Sequence, residues 1–441
     1  MNNMTLGNKI KQARLELNLT QEEVAGDFIT RNMLSQIEND LSTPSIKTIQ
    51  HLAKKLNKPI SYFLGNELDE IQTTDKNSKS SFEHASFIAK KGEFGKCISY
   101  INQELKLIEK DTQNLYHGRL LYILAKCKIM IDDYDNVDII LDNSIRILAN
   151  NNEHYFLSNA YFYKFNISFN NNKFNKAEIY IRKSIEEFKK SYIGDPSLET
   201  KLFFSLGFAL YKQNKYKESI INLNHTIKLS KEYKAFNNYG ESHMVLGIIY
   251  KKINEIDKAI DCTEKAVSIF HGLDDKHLKA ACQKNIGNYY LINNDFLNAE
   301  KNLVEALKYF DSNQNHEIAH TIRSDIQELL VKKEDYEKAI EYVNEIDINI
   351  INTVDQARIY MNLGNAYAGV GDYNLAKDNL KKAEELLENS NCYDVLHLIY
   401  DSYSHMYSSL KDYENAYIYS EKSKEFLKLS FSDKQVVERL E

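Results

Sequence analysis

Apolar residues in the first 65 positions recur at three- and four-residue spacings, separated by short polar breaks. Leu6, Ile10, Ala13 and Leu17 share one face and predict a helix over 6–17. Thr20-Gln21-Glu22-Glu23 has the form of a capping box, in which Thr and the third-following Glu satisfy two orphan backbone donors. It predicts a second helix from Gln21 to about Phe28, with Val24, Ala25 and Phe28 buried. Thr30 is placed to cap a third helix, Arg31 to Asn39, with Met33 or Leu34 and Ile37 inward. Pro44-Ser45 opens a fourth, burying Ile46, Ile49, Leu52, Ala53 and Leu56. Pro59 opens a fifth that ends at Gly65.

Beyond a polar stretch at 66–81, read as a hinge or a short exposed helix, the pattern becomes a repeat. An aromatic residue followed three positions later by a small one recurs from Phe94 through Tyr134, Phe174, Tyr216, Ile256 (in place of the aromatic), Phe296, Tyr336 and Tyr373 to Tyr413. The copies lie about 40 residues apart. Nine positions before the aromatic sits a small residue: Ala85, Ala125, Gly207, Gly247, Gly287, Gly364 or Ser404, with Phe165 and Gln327 as departures. The small residue lets a neighbouring helix approach, and the aromatic opens the second helix of a hairpin. One hairpin cannot bury its apolar face, so hairpins stack into a solenoid.

Composition supports an all-α chain. Only 3 Pro and 15 Gly occur in 441 residues, which disfavours sheet folds that need frequent turn residues. Apolar residues are 43% and charged residues 27%, ordinary for a chain that buries a core. No apolar run spans a membrane, no secretory leader is apparent, and the expected location is the cytoplasm. Cys97, Cys127, Cys262, Cys282 and Cys392 form no C-x-x-C pair, so neither a zinc site nor a redox motif is expected. The overall charge is −7, yet the first 65 residues hold eight Lys/Arg against six Asp/Glu. A basic head on an acidic body places any nucleic-acid contact in the head. No P-loop, H-E-x-x-H, G-x-S-x-G or kinase signature occurs, so no enzyme activity, catalytic residue, metal or cofactor is expected.

Gly7-x-x-Ile10-x-x-x-Arg14, Leu19-Thr20-Gln21-Glu22-Glu23-Val24-Ala25, Leu34-Ser35-Gln36-Ile37-Glu38 and Leu52-Ala53-Lys54-Lys55-Leu56 resemble the Cro/C1-type (XRE) helix-turn-helix domain. The resemblance covers about 60 residues and implies that the third helix enters the major groove of double-stranded DNA. On it, Arg31, Asn32, Ser35 and Gln36 face base edges, Gln21 makes a phosphate or base contact, Lys47 and Thr48 are weaker phosphate candidates, and Glu38 pairs within the domain, with Arg14 as partner. One head reads half a site, so a homodimer held by the body is implied.

The repeats resemble tetratricopeptide repeats, with helices about a turn longer. The assigned domains are thus 1–65, an XRE helix-turn-helix, 66–81, a linker, and 82–441, about nine tetratricopeptide-like hairpins. In that repeat the first helix of each hairpin lines a groove for extended peptides. Groove positions then hold Asn166, Asn288 and Asn365, whose amides pair with a peptide N–H and C=O together. Arg119, Lys201 and Arg358 become candidates for a carboxylate, and Arg119 and Arg358 join the three asparagines as the expected peptide site. Tyr122, Phe162, Phe204, Met244 and Met361 are core or apolar pockets.

A helix-turn-helix head on such a body resembles the RNPP (RRNPP) family of peptide-responsive transcription regulators, and its longer members most. That implies a short signalling peptide, a quorum signal, whose binding changes dimer geometry and DNA binding. Two alternatives stay open: an adaptor that sequesters a partner such as a response regulator, and a DNA-binding regulator whose body is only a dimer scaffold.

Overall fold

The computed structural model describes residues 5–26, 28–42, 44, 46–58, 62–63, 66–107, 114–234, 236 and 238–432. Among them every regular element is helical. The chain divides into two compact units, residues 1–160 and 161–441.

The head holds α1 (Leu6–Glu16), α2 (Gln21–Ala25), α3 (Arg31–Glu38) and α4 (Ile46–Lys55). The Thr20–Glu23 capping box forms with both reciprocal bonds, and Thr30 Oγ1 accepts from the Met33 N–H at 3.1 Å. Ile10, Ala13, Val24, Leu34, Ile37, Ile49, Leu52, Ala53 and Leu56 make the core. Met33 faces out while Leu34 faces in. Phe28 departs from expectation. Helix α2 stops at Gly26, whose φ of 55° is a left-handed cap, so the burial passes to Ile29 and Phe28 stays 53% exposed, stacked on His51. Of the fifth helix, Tyr62 and Phe63 are described, with Phe63 buried; Ser45, Pro59 and Gly65 lie outside the described residues, as do the side chain of Ile46 and residues 433–441.

The stretch 66–81 is helical. It is the start of α5 (Asn66–Lys90), which runs without a break into the first helix of the first hairpin. Helices α6 (Phe94–Leu107), α7 (Leu115–Ile129), α8 (Val137–Asn150) and α9 (His154–Asn170) follow. Then come α10 (Phe174–Lys190), α11 (Pro196–Lys212), α12 (Tyr216–Tyr233), α13 (Tyr239–Lys252), α14 (Ile256–Gly272), α15 (Lys276–Ile292) and α16 (Phe296–Ser312). The last six are α17 (His316–Lys332), α18 (Tyr336–Tyr342), α19 (Thr353–Gly369), α20 (Tyr373–Leu387), α21 (Tyr393–Ser409) and α22 (Tyr413–Ser432).

The repeated aromatic, or Ile256, is the first residue of the second helix in every hairpin but one. In the exception, α8 begins at Val137, the repeat's buried small position, after a left-handed Asn136 (φ 57°). The repeated small residue meets the partner helix. A Cβ at Gly287 would lie 2.7 Å from Leu303 Cγ, and one at Gly364 would lie 2.7 Å from Leu380 Cγ. Where Gln327 takes that position it is fully buried, and its amide reaches only the Ala339 carbonyl, at 3.4 Å. The helix it faces, α18, is the shortest of the body and gives way to two 3₁₀ turns, 343–345 and 348–350.

The hairpin turns explain how a chain poor in Gly and Pro folds back so often. Asn172, Asn214, Asn254 and Asn294 take φ of 56°, 60°, 62° and 58° directly after the first helix. Asn tolerates this region better than other side-chain-bearing residues. Each turn closes with a Schellman bond, such as Lys173 N–H to Ser168 O and Asp295 N–H to Tyr290 O, both 2.9 Å. Asp295 and Asp372 then cap the second helix.

Candidate nucleic-acid interface and inner helical wall

Helix α3 presents Arg31, Asn32 and Gln36 to solvent and leaves Ser35 half-buried. None of these side chains is engaged by the protein among the described residues. The opposite face is held hard. Arg14 donates to Glu38 from Nε to Oε1 at 2.6 Å and from Nη2 to Oε2 at 2.9 Å, and its Nη1 reaches the Leu19 carbonyl at 2.9 Å. Glu38 is 2% exposed, and the hydrogen bond to it raises the Arg14 pKa. Gln21 donates its amide to Glu38 Oε2 at 2.8 Å, so one side chain at the start of α2 is tied to the base of α3. Lys47 lies in the first turn of α4, its side chain outside those described; Thr48 is buried and does not face a ligand.

The first helices of the later hairpins, α13, α15, α17, α19 and α21, pack against one another in succession and form one layer. Asn288 (α15) donates Nδ2 to Asp325 Oδ2 (α17) at 3.0 Å. Arg358 (α19) lies 3.3 Å from Asp325 Oδ1, 2.6 Å from Glu328 Oε2 and 3.5 Å from Asp355 Oδ1. Burial pushes the fully enclosed Asp325 carboxyl up, while Arg358 and Lys332 hold Glu328 below its ordinary range against desolvation. Asn288 Oδ1, Asp325 Oδ1 and Asn362 Nδ2 are among the buried polar atoms of this layer that lack a hydrogen-bond partner. Asn365, two turns beyond Arg358 on α19, is half-buried with an unengaged amide, as is Asn166 on α9. The structure thus gathers Asn288 and Arg358 into one network and leaves Asn166 apart from it. Asp325 and Asn362 escaped the sequence analysis because both precede the repeat's small position by two, where a core residue is expected.

Arg119 has its own cage. Both Nε and Nη2 donate to Glu153 Oε2, at 3.0 and 2.6 Å, and its guanidinium lies over Phe82, Tyr116 and Phe156. Lys201 lies over the Phe162 ring. Tyr122, Phe162 and Met361 are buried and belong to the core, while Phe204 and Met244 are half-buried. His405 is exposed beside Asp401. Among the described residues, no helix is long and apolar enough to cross a membrane and no cluster of metal-ligating side chains occurs.

The helix-turn-helix family matches residues 10–63, the soluble NSF attachment protein family matches 219–354, and the tetratricopeptide repeat matches 357–389. The chain is 22% identical over 339 residues to the transcriptional activator NprA of Geobacillus stearothermophilus, covering 73% of this chain and 76% of NprA. In fold it is similar to the apo form of RapI, with a TM-score of 0.61 at 15% identity over 80% of this chain and 97% of RapI. It is also similar to the apo form of the quorum sensor NprR of B. thuringiensis, with a TM-score of 0.54 at 14% identity over 81% and 99%.

Proposed function

We propose that this chain, a helix-turn-helix transcription regulator of the RNPP type, binds a short extended peptide on the inner helices of its hairpins and reads DNA as a homodimer in the cytoplasm. The observation that carries the reading is that Asn166 and Asn365, on the first helices of two hairpins, are half-buried with amides no protein group engages. Such an amide can accept a peptide N–H and donate to a peptide C=O together. Asn288 is half-buried on the first helix of another hairpin, its Nδ2 given to Asp325. Main-chain recognition of this kind fits an extended peptide and no folded partner.

In the head, Arg31, Asn32, Ser35 and Gln36 read bases, with Arg suited to guanine and the amides to adenine, while Lys47 contacts phosphate. Gln21 serves less as a direct contact than as a brace, because Glu38 holds its amide. Peptide occupancy shifts the population between two arrangements of the dimer, and so the spacing of its two heads.

The test is a selection of bound DNA sequences by the full chain, with and without a peptide fraction of spent culture medium. The reading expects the peptide fraction to change the yield of one pseudo-palindromic site, and Asn166→Ala with Asn288→Ala and Asn365→Ala to abolish that change while leaving DNA binding intact. If the triple variant responds as wild type does, the body is a scaffold only. The fold shared with RapI keeps the adaptor reading in view, and capture of a response regulator by the full chain would favour it.

A further inference from the structure

In four hairpins the small residue of the first helix receives a side chain that stands seven positions after the residue opening the second helix. Leu223 meets Gly207, Thr263 meets Gly247, Leu303 meets Gly287 and Leu380 meets Gly364. In the α17–α18 hairpin the small residue is replaced by Gln327, and the matching position is Val343. Helix α18 ends at Tyr342, one residue short of it. The buried Gln327 side chain fills the room that the partner side chain takes elsewhere, so the second helix cannot close and turns away into the 3₁₀ segment. Ala339 is the one fully buried residue of α18.

The apolar core parts at the same place. Ile322 and Ile326 of α17 pack with Leu303 and Phe310 of α16, and Tyr342 joins them from α18. Beyond it, Ile346 and Ile351 pack on Ile359 and Leu363 of α19, and a further cluster runs from α19 to α22. No residue of α17 belongs to either of these two clusters. The 3₁₀ segment is thus anchored on α19.

Polar groups span the boundary instead. Arg358 of α19 reaches Glu328 of α17 at 2.6 Å and Asp325 at 3.3 Å. Gln327 Nε2 reaches the Ala339 carbonyl at 3.4 Å, and His320 Nδ1 accepts the Asp347 N–H at 3.0 Å. Ser324 Oγ and Gln327 Oε1 are enclosed there without a hydrogen-bond partner. Water would satisfy both if α18 moved off, which lowers the cost of opening. Few buried apolar contacts and unmet polar groups mark the low-stability parts of a fold.

We propose that the body bends at a polar seam between α17 and α18, with a stiff stack on each side. The Arg358–Glu328 pair is the pivot, because it ties α19 to α17 directly while α18 swings away from α17 with the hairpins that follow. The solenoid then flexes at one place and not evenly along its length.

Hydrogen exchange of the full-length protein, read by mass spectrometry, tests the seam. Amides of 337–350 are expected to exchange about tenfold faster than those of α16 and α20. Gln327→Ala restores a small residue without adding a glycine, and should bring 337–350 into the range of its neighbours while leaving α16 and α20 unchanged. Equal protection of the three segments in wild type overturns the proposal. So does a folded Gln327→Ala variant, judged by circular dichroism, that keeps the fast exchange. A second measurement keeps Gln327 in place. Spin labels on Lys301→Cys and Lys381→Cys, both exposed positions, flank the seam, with Cys392→Ser removing the one thiol that is not buried. Their distance distribution should be broad, and that of a control pair on Lys228→Cys and Lys301→Cys narrow. Two equally narrow distributions would mean that the stack does not bend there.

Discussion

The Asp325 carboxylate, wholly shielded from solvent on α17, faces the Arg358 guanidinium of α19 across 3.3 Å and has no other cation within 4 Å among the described residues. The pair joins consecutive hairpins through charges that water does not screen. Removing one member of a buried pair is costly because it strands the other. Arg358→Met should therefore lower unfolding stability by about 3 kcal/mol, read from the midpoint of a urea titration. An unchanged midpoint would mean that Asp325 is neutral in the folded chain.

A second buried pair, Arg14–Glu38, supports the DNA-reading helix from below. Glu38→Ala strands Arg14 and releases Gln21, and should destabilise the head by about 3–5 kcal/mol. Gln21→Ala removes only one neutral-donor bond and should cost about 1 kcal/mol. Thermal unfolding of the head, followed by the exchange of amides in α3, separates these cases.

The exposed side chains of α3 behave differently. Arg31→Ala or Gln36→Ala should leave stability unchanged, since neither side chain has a partner in the protein. Each should cost about 1–3 kcal/mol of specific DNA affinity and relax one base position. Identical footprints for wild type and both variants would exclude α3 as the reading element.

Gly364 tests the repeat. In an exposed helix Gly→Ala gains about 1 kcal/mol. Here the new methyl would lie 2.7 Å from Leu380 Cγ and 3.2 Å from the Ala376 carbonyl, a backbone atom that cannot rotate away. Overpacking of this kind costs about 1–3 kcal/mol, so the expected net effect of Gly364→Ala is a loss, and calorimetry should show a lower Tm.

Acid should weaken the body through His243. Burial, with Lys265 and Lys231 nearby, depresses its pKa from 6.5 to about 4. The folded chain thus binds fewer protons than the unfolded chain between those values. Its contribution is complete above pH 6.5 and is lost as pH falls toward 4, on the order of 3 kcal/mol at full extent. His243→Gln should flatten this part of the stability–pH curve, measured by chemical unfolding between pH 7 and pH 4.

Local rules made much of this protein legible from its residues alone. The Thr20 capping box, the Thr30 cap, the nine-copy spacing and the small residues that let paired helices approach depend on neighbours within one helix or one hairpin, and all but one of the second helices begin at the repeat's marker. Even the Arg14–Glu38 pairing was expected, through the head's resemblance to a known domain. The exposure of Phe28 follows from the positive φ of Gly26, which ends α2 early, and the late start of α8 follows a left-handed Asn136. What the chain folded in space decided is charge state. Whether an arginine on the inner wall is free to hold a ligand depends on carboxylates some 30 residues away: Glu153 for Arg119, Asp325 and Glu328 for Arg358. Hydrophobic periodicity reports which face of a helix is turned inward, whereas electrostatic balance depends on which faces meet, and only the stacked hairpins bring Asp325 and Glu328 of one hairpin against Arg358 of the next.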